Sequence, residues 1–235
     1  MQKNRPFTTV ILAMSADGKI ADTNRKAARF GSTADKAHLE EQIATNDAVI
    51  FGANTLRAYG TTLTITNSQL LQSRTQAGKP PQPIHIVISQ SGRLNPEIRF
   101  FQQSIRRWLL TTSPGALSWE KSYRAFFEET LVFDNSEGKI NLELALQHLM
   151  SLGIQRLAVL GGGQLVASMM ELDLIDEIWL TICPLILGGS LAPTSVAGGG
   201  FLPNLAPRLQ LLACRTVEQE VFLHYRLIRE LINYY

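Results

Sequence analysis

LAVLGGGQLVASM, residues 157–169, joins an apolar run to a helix-like pattern through three consecutive glycines. A strand that ends in glycine and turns into a helix offers backbone N–H groups to an anion, and the helix dipole favours negative charge there. Gln164 adds a side-chain donor at the helix start. A tight strand-to-helix connection with no ligand has the same pattern, so the glycines alone leave both readings open. Two nucleotide motifs fail. A P-loop needs Lys followed by Ser or Thr after its last glycine, whereas Gly163 is followed by Gln164 and Leu165. The dinucleotide fingerprint needs a small residue where Val166 stands, and an acid at the end of the next strand, where the chain reads Thr181, Ile182, Cys183, Pro184.

Outward from this stretch, strands and helices alternate. TTVILAM (8–14) reads as a buried strand, because aliphatic and β-branched residues run on without alternation. Ser15 to Gly18 is a turn around Asp17-Gly18. Ser32 and Thr33 before Asp35 open a helix to about Asn46. Ala48–Phe51 is a strand ending at Gly52, and a short helix follows from Asn54. Residues 61–83 read as a long surface loop. Strands are expected at 84–88, 108–112, 130–134, 156–160 and 177–183, and helices at 115–129, 141–152 and 164–172. Asn141 starts the second of these helices and Gly153 stops it. The Arg106-Arg107 doublet reads as the close of a helix. The stretch 208–229 reads as two long strands joined near Val217–Glu220. The result is one α/β domain over 1–235, with a mostly parallel sheet and an antiparallel C-terminal hairpin.

Composition narrows the function. The 235 residues include 22 basic and 20 acidic ones, a net charge of +2, with the basic residues scattered. That is not the basic stripe that nucleic acid requires. Cys183 and Cys214 lie far apart in apolar runs and read as buried, reduced thiols. The four histidines show no metal spacing, so no metal is expected. The N-terminal apolar run is too short for a signal peptide, and no run reaches the roughly 18 residues that span a bilayer. A cytoplasmic protein with no membrane partner is the expectation.

The blocks LGGGQL (160–165), LDLIDEIWLTICPLILGG (172–189) and APTSVAGGGF (192–201), with MSADGKIA (14–21), DAVIFGANTLRAYG (47–60) and IHIVIS (84–89) before them, resemble the reductase domain of riboflavin biosynthesis. The order of the blocks is more specific than any one of them, and they extend from residue 5 to about 226. No deaminase zinc signature accompanies them, so the chain resembles the stand-alone form. The resemblance implies a dihydrofolate-reductase-like three-layer α/β/α fold, NADPH as cofactor and a homodimer. It also implies a ribosylamino-pyrimidine phosphate substrate whose ribose C1 receives the hydride.

Carried over by position, Gly161, Gly162, Gly163 and Gln164 form the pyrophosphate cradle, with Gly52 and Thr55 beside it. Ser89, Gln90, Ser91 and Arg93 hold the adenosine 2′-phosphate. Donors without an acid suit a phosphate, whereas an acid there would select the unphosphorylated ribose. Asp17 is placed next to the substrate as the catalytic candidate, and Ser32 and Thr33 line the substrate side, although a turn and a helix cap explain these three equally well. Three departures stand out. Leu160 occupies a position where many members carry an acid, and Ile11 one where many carry Lys or Asn. Ala58, Tyr59 and Gly60 replace Asp-Asp-Pro, and Tyr59 can stack on a ring of cofactor or substrate. A pterin-like substrate, or a cofactor-binding protein without catalysis, is the alternative these departures raise.

Overall fold

The computed structural model describes residues 4–27, 29–123 and 126–229. In chain order the elements are β1 (Phe7–Ser15), α1 (Thr33–Thr45), β2 (Ala48–Gly52), α2 (Ala53–Tyr59), α3 (Ser68–Gln76), β3 (Ile84–Ile88), a 3-10 turn (Arg99–Gln102), β4 (Arg107–Thr111), α4 (Ser113–Tyr123), β5 (Glu129–Val132), α5 (Leu142–Ser151), β6 (Arg156–Val159), α6 (Gly163–Glu171), β7 (Glu177–Cys183), β8 (Arg208–Val217) and β9 (Glu220–Ile228). All nine strands among the described residues form one sheet, ordered β5-β4-β3-β2-β6-β1-β7-β9-β8. Pairing is parallel from β5 to β7 and antiparallel between β7 and β9 and between β9 and β8.

The strand sequences explain the layers. Successive side chains point to opposite faces of a sheet. On β1, Val10 enters one core with α5 and α6, while its neighbour Ile11 enters the other with α1 and α2. β2 divides Ile50 from Val49 and Phe51 in the same way, and β4 divides Trp108 and Leu110 from Leu109. A strand buried on both faces reads as an unbroken apolar run, because helices cover it above and below. This is the three-layer α/β/α sandwich that the resemblance implies. Each fully buried aliphatic side chain contributes about 1.5–3 kcal/mol.

Helix ends follow their caps. Ser32 accepts from the N–H groups of Ala34 and Asp35 to start α1, and Asn141 accepts from Leu144 to start α5. Gly153, at φ +88°, ends the turn after α5 in a conformation that suits glycine.

Some local expectations are corrected. Residues 61–83 are not an unstructured loop, since α3 lies within them. Asn67 caps it through Gln69 and Leu70, and buried Arg74 ties it to the carbonyls of Ala44, Asn46 and Pro80. Beyond Leu70 and Leu71, which pack against the core, it is held by a cap and a long-range cation, so periodicity misses it. Arg107 opens β4 rather than closing a helix, and its guanidinium gathers the carbonyls of Gln103 and Ile105. The helix expected over 115–129 is α4, ending at Tyr123 with 124–125 outside the described residues, and Glu129 already belongs to β5. Cys183 is buried, but Cys214 is exposed on edge strand β8, and both are free thiols.

Candidate active site

Chain order changes direction at β6. The strands progress from β2 through β5 to one edge, and the chain then returns to insert β6 between β2 and β1. Loops on either side of such a switch diverge, leaving a crevice at the carboxyl ends of the strands. A cavity of about 1390 Å³ lies there.

The loop after β6 forms its floor. Gly161 has φ +100°, the Gly161–Gly162 peptide is cis, and the Gly161 carbonyl accepts the Gly52 N–H at 3.1 Å. Leu160 is pinned to the Ile50 carbonyl at 2.9 Å. The ends of β2 and β6 are thus laced together where both open on the cavity. Helix α6 starts at once, capped by Gly162 with no side chain over its first turn. The first N–H groups of a helix have no carbonyl partner within it, so these are open to an outside acceptor. The Thr55 hydroxyl stands over this floor, 3.3 Å from where a Gly162 Cβ would be.

The three glycines serve different ends. A Cβ on Gly163 would lie 2.2 Å from the Thr194 carbonyl oxygen, and the Gly163 carbonyl accepts the Ala197 N–H at 3.1 Å. Gly163 is small to admit the protein's own 190–197 loop, whereas Gly161 and Gly162 leave room toward Leu12 and Thr55.

Most residues singled out from sequence converge here. Gly52, Thr55, Tyr59, Ser89, Gln90, Ser91, Leu160, Gly161, Gly162, Gly163 and Gln164 all line the cavity. Arg93 does not. It borders a separate recess with Leu94, Asn95, Ser118 and Trp119. Glycine at 92, φ +61°, lets the backbone turn against Gly115, and Arg93 follows that turn outward.

Asp17 also stands outside the lining. The Ser15 hydroxyl donates to it at 2.6 Å, and the N–H groups of Leu187 and Gly188 donate at 3.1 and 2.7 Å. The Ser15 hydroxyl first, then the Leu187 N–H, hold its carboxyl down at about 2. It is an anionic clasp between the loops after β1 and β7, a poor proton donor near neutral pH. Ser32 caps α1 and donates its hydroxyl to Glu220, and neither it nor Thr33 reaches the cavity. Ile11 is buried in the α1-side core, and its neighbour Leu12 lines the cavity instead.

Sequence reasoning missed the charge of the walls. Among the described residues, Lys19, Arg25, Lys26, Arg57 and Lys139 line the cavity with only Glu137 and Glu171 as acids, and Lys139 pairs with Glu137 at 2.7 Å. Lys19 to Lys26 follow β1, where the chain is laced across the opening by Ile20 N–H to the Pro193 carbonyl, 2.9 Å. Arg57 lies on α2, three residues after Asn54, and helical spacing could have paired the two. Such a cavity suits an elongated ligand with more than one anionic group.

Comparison with known proteins agrees with this geometry. The RibD C-terminal domain family model matches residues 6–223. The 2,5-diamino-6-ribosylamino-4(3H)-pyrimidinone 5′-phosphate reductase of Archaeoglobus fulgidus is 30% identical over 198 residues, covering 84% of this chain and 89% of that protein. The enzyme of the same description from Methanothermobacter thermautotrophicus is 29% identical, covering 94% and 98%. Among solved structures, a pyrimidine reductase-like protein from Corynebacterium diphtheriae superposes with a TM-score of 0.78 at 19% identity, covering 97% of this chain and 94% of that one. The Saccharomyces riboflavin biosynthesis reductase Rib7 gives a TM-score of 0.69 at 15% identity, covering 97% and 92%. With a domain match over nearly its whole length, the chain belongs to the RibD C-terminal domain family.

Proposed function

We propose that this chain is an NADPH-dependent reductase of riboflavin biosynthesis. It would reduce the ribosylamino group of a pyrimidine 5′-phosphate to its ribityl form. The observation that carries the reading is the cavity at the β6 switch, where a helix start with no side-chain cap meets cationic walls in a chain 30% identical to a protein named for that reaction.

The residues present fit a nicotinamide dinucleotide. The open N–H groups of α6 and the Gln164 amide can hold a pyrophosphate, and a Cβ on Gly52 would project into the cavity with nothing nearer than 3.9 Å. Thr55 adds a hydroxyl, and Ser89, Gln90 and Ser91 line the same cavity after the neighbouring strand β3. The bound cofactor would supply a hydride. The protein's share is to orient the substrate, exclude water and neutralise phosphate charge. Leu12, Ile20, Leu160 and Tyr59 supply apolar surface for flat rings, and Lys19, Arg25 and Lys26 counter a substrate phosphate. Opening the sugar ring needs a proton at the ring oxygen. Asp17, anionic and outside the lining, does not enter this proposal as its source.

A pterin-like substrate is the second reading, favoured by Leu160, which puts an apolar side chain in the wall beside the glycines. The proposal includes a homodimer through edge strand β8, which leaves Leu209 and Leu211 exposed. It also includes a cytoplasmic setting, which two free thiols fit.

The test is turnover of the reduced nicotinamide with the ribosylamino-pyrimidine phosphate and, separately, with dihydropterins. Consumption only with the first supports the proposal. Consumption only with a pterin transfers it to the second reading, and failure to bind either nicotinamide cofactor overturns it.

A further inference from the structure

We infer that Arg57, and not Arg93, is the residue that selects a 2′-phosphorylated adenosine. This rests on the nicotinamide-reductase reading above and names the specificity determinant of that site.

The placement follows from strand order. Ser89 to Ser91 follow β3, Arg57 lies on the helix that follows β2, and Lys19 to Lys26 follow β1. In the sheet these strands run β3-β2-β6-β1. With adjacent strands about 4.8 Å apart, the β3 and β1 ends of the cavity are separated by roughly 14 Å. The open start of α6 lies between them. A dinucleotide with its pyrophosphate over α6 therefore has one nucleoside at the β2–β3 end, where Arg57 is the cation contributed by α2, and the other toward β1.

Arg57 is also held ready. Its Nη1 donates to the Asn54 Oδ1 at 2.7 Å and its Nη2 to the Arg93 carbonyl at 2.7 Å. These contacts use two of the five N–H donors, and no carboxylate pairs with the guanidinium among the described residues. Lys139, in the same cavity, is an exposed cation that pairs with Glu137 at 2.7 Å, whereas Arg57 has no such partner among the described residues. The Arg93 backbone thus positions the Arg57 head group, while the Arg93 side chain borders a separate recess. The same Arg93 backbone that accepts from Arg57 donates its N–H to the Ser91 hydroxyl at 3.4 Å, and Ser89 and Ser91 line the cavity with Arg57. A guanidinium fork with a hydroxyl donor holds a phosphate dianion through charge-assisted bonds, an interaction that a neutral 2′-hydroxyl cannot match.

The experiment compares wild type, R57Q and R93Q by calorimetric titration with NADPH, NADH, adenosine 2′,5′-bisphosphate and adenosine 5′-monophosphate. Both arginines are exposed, so both variants should fold, and a melting curve checks this. Losing a charge-assisted contact should weaken NADPH and the bisphosphate about ten- to a hundredfold in R57Q. NADH and the monophosphate should be unchanged, and R93Q should match wild type throughout. If wild type prefers NADPH and R57Q keeps that preference, or R93Q loses it, the assignment to Arg57 is overturned while the reductase reading stands. Equal loss of NADPH and NADH in R57Q overturns it too, as a merely structural effect. If wild type binds neither cofactor, the reductase reading falls and this inference with it.

Discussion

Replacing Gly163 by alanine tests the claim that this glycine is required by packing rather than by a ligand. The new Cβ would meet the Thr194 carbonyl oxygen at 2.2 Å, where ordinary contact begins at 3.4 Å. Either α6 or the 190–197 loop must therefore move by about 1 Å, and the loop is anchored on both sides. Ala197 donates to the Gly163 carbonyl at 3.1 Å, and Pro193 accepts from Ile20 at 2.9 Å. Overpacking of this kind costs about 1–3 kcal/mol. A weakened backbone hydrogen bond adds about 1 kcal/mol. The smaller freedom of alanine in the unfolded chain offsets about 0.4–1 kcal/mol. A net loss of about 1–3 kcal/mol lowers the melting temperature of a chain this size by roughly 3–10 °C. Thermal unfolding followed by far-ultraviolet circular dichroism, without ligand, reads the change. Gly199→Ala is the control, since its Cβ meets nothing within 4 Å, and it should fall within about 0.5 kcal/mol of wild type. A Gly163→Ala protein that melts with wild type would refute the packing account and return all three glycines to a ligand role.

Gly52→Ala should behave in the opposite way. Its backbone, φ −71° and ψ 151°, accepts alanine and its Cβ has space, so the melting temperature should stay within about 2 °C of wild type. Cofactor affinity should drop at least about tenfold if that space belongs to a ligand, as equilibrium titration would show. Asp17→Asn should loosen the clasp to Leu187 and Gly188 and lower turnover without changing the shape of its pH profile between pH 5 and 9. A lost limb in that profile would restore Asp17 as a proton-transfer group. His38 is buried and held at about 4 by desolvation first, then by Arg215, below its usual 6.5. A group whose folded pKa is depressed loses its stabilising contribution as pH falls, so stability should decline between pH 6.5 and 4. The part due to His38 is about 3 kcal/mol. His38→Gln should remove that part of the slope, as urea unfolding at several pH values would show, and an unchanged slope would contradict the assignment.

What local sequence could reveal is the set of contacts that neighbours in the chain make. The unbroken run of β-branched and aliphatic residues over 8–14 announced a strand covered on both faces, and Ser32, Asn141 and Gly153 marked helix ends, because caps act over three or four residues. The order of the family blocks carried the fold and brought most of the cavity lining with it. Helix α3 was not legible, because its anchor is Arg74 reaching carbonyls about 30 positions away.

By itself, then, the sequence determined the strands and every helix but α3, that both faces of the sheet are covered, and that a glycine turn precedes a helix. Tertiary structure alone decided which side chains meet. The insertion of β6 between β2 and β1 brings Gly52, Thr55 and Gly161 to one floor from positions more than a hundred residues apart. The pleat of β1 puts Leu12 in the cavity and Ile11 in the core, so a shift of one residue exchanges wall for interior. The turn at Gly92 carries the Arg93 side chain away from the cavity, and Arg57 lines it from a helix more than a hundred residues before the glycine run. Glycine 163 makes the same point, since its neighbour Thr194 is defined only by how the 190–197 loop returns across the sheet. Side-chain direction at a turn and the route of a returning loop depend on the whole packed sheet, and no window of sequence contains them.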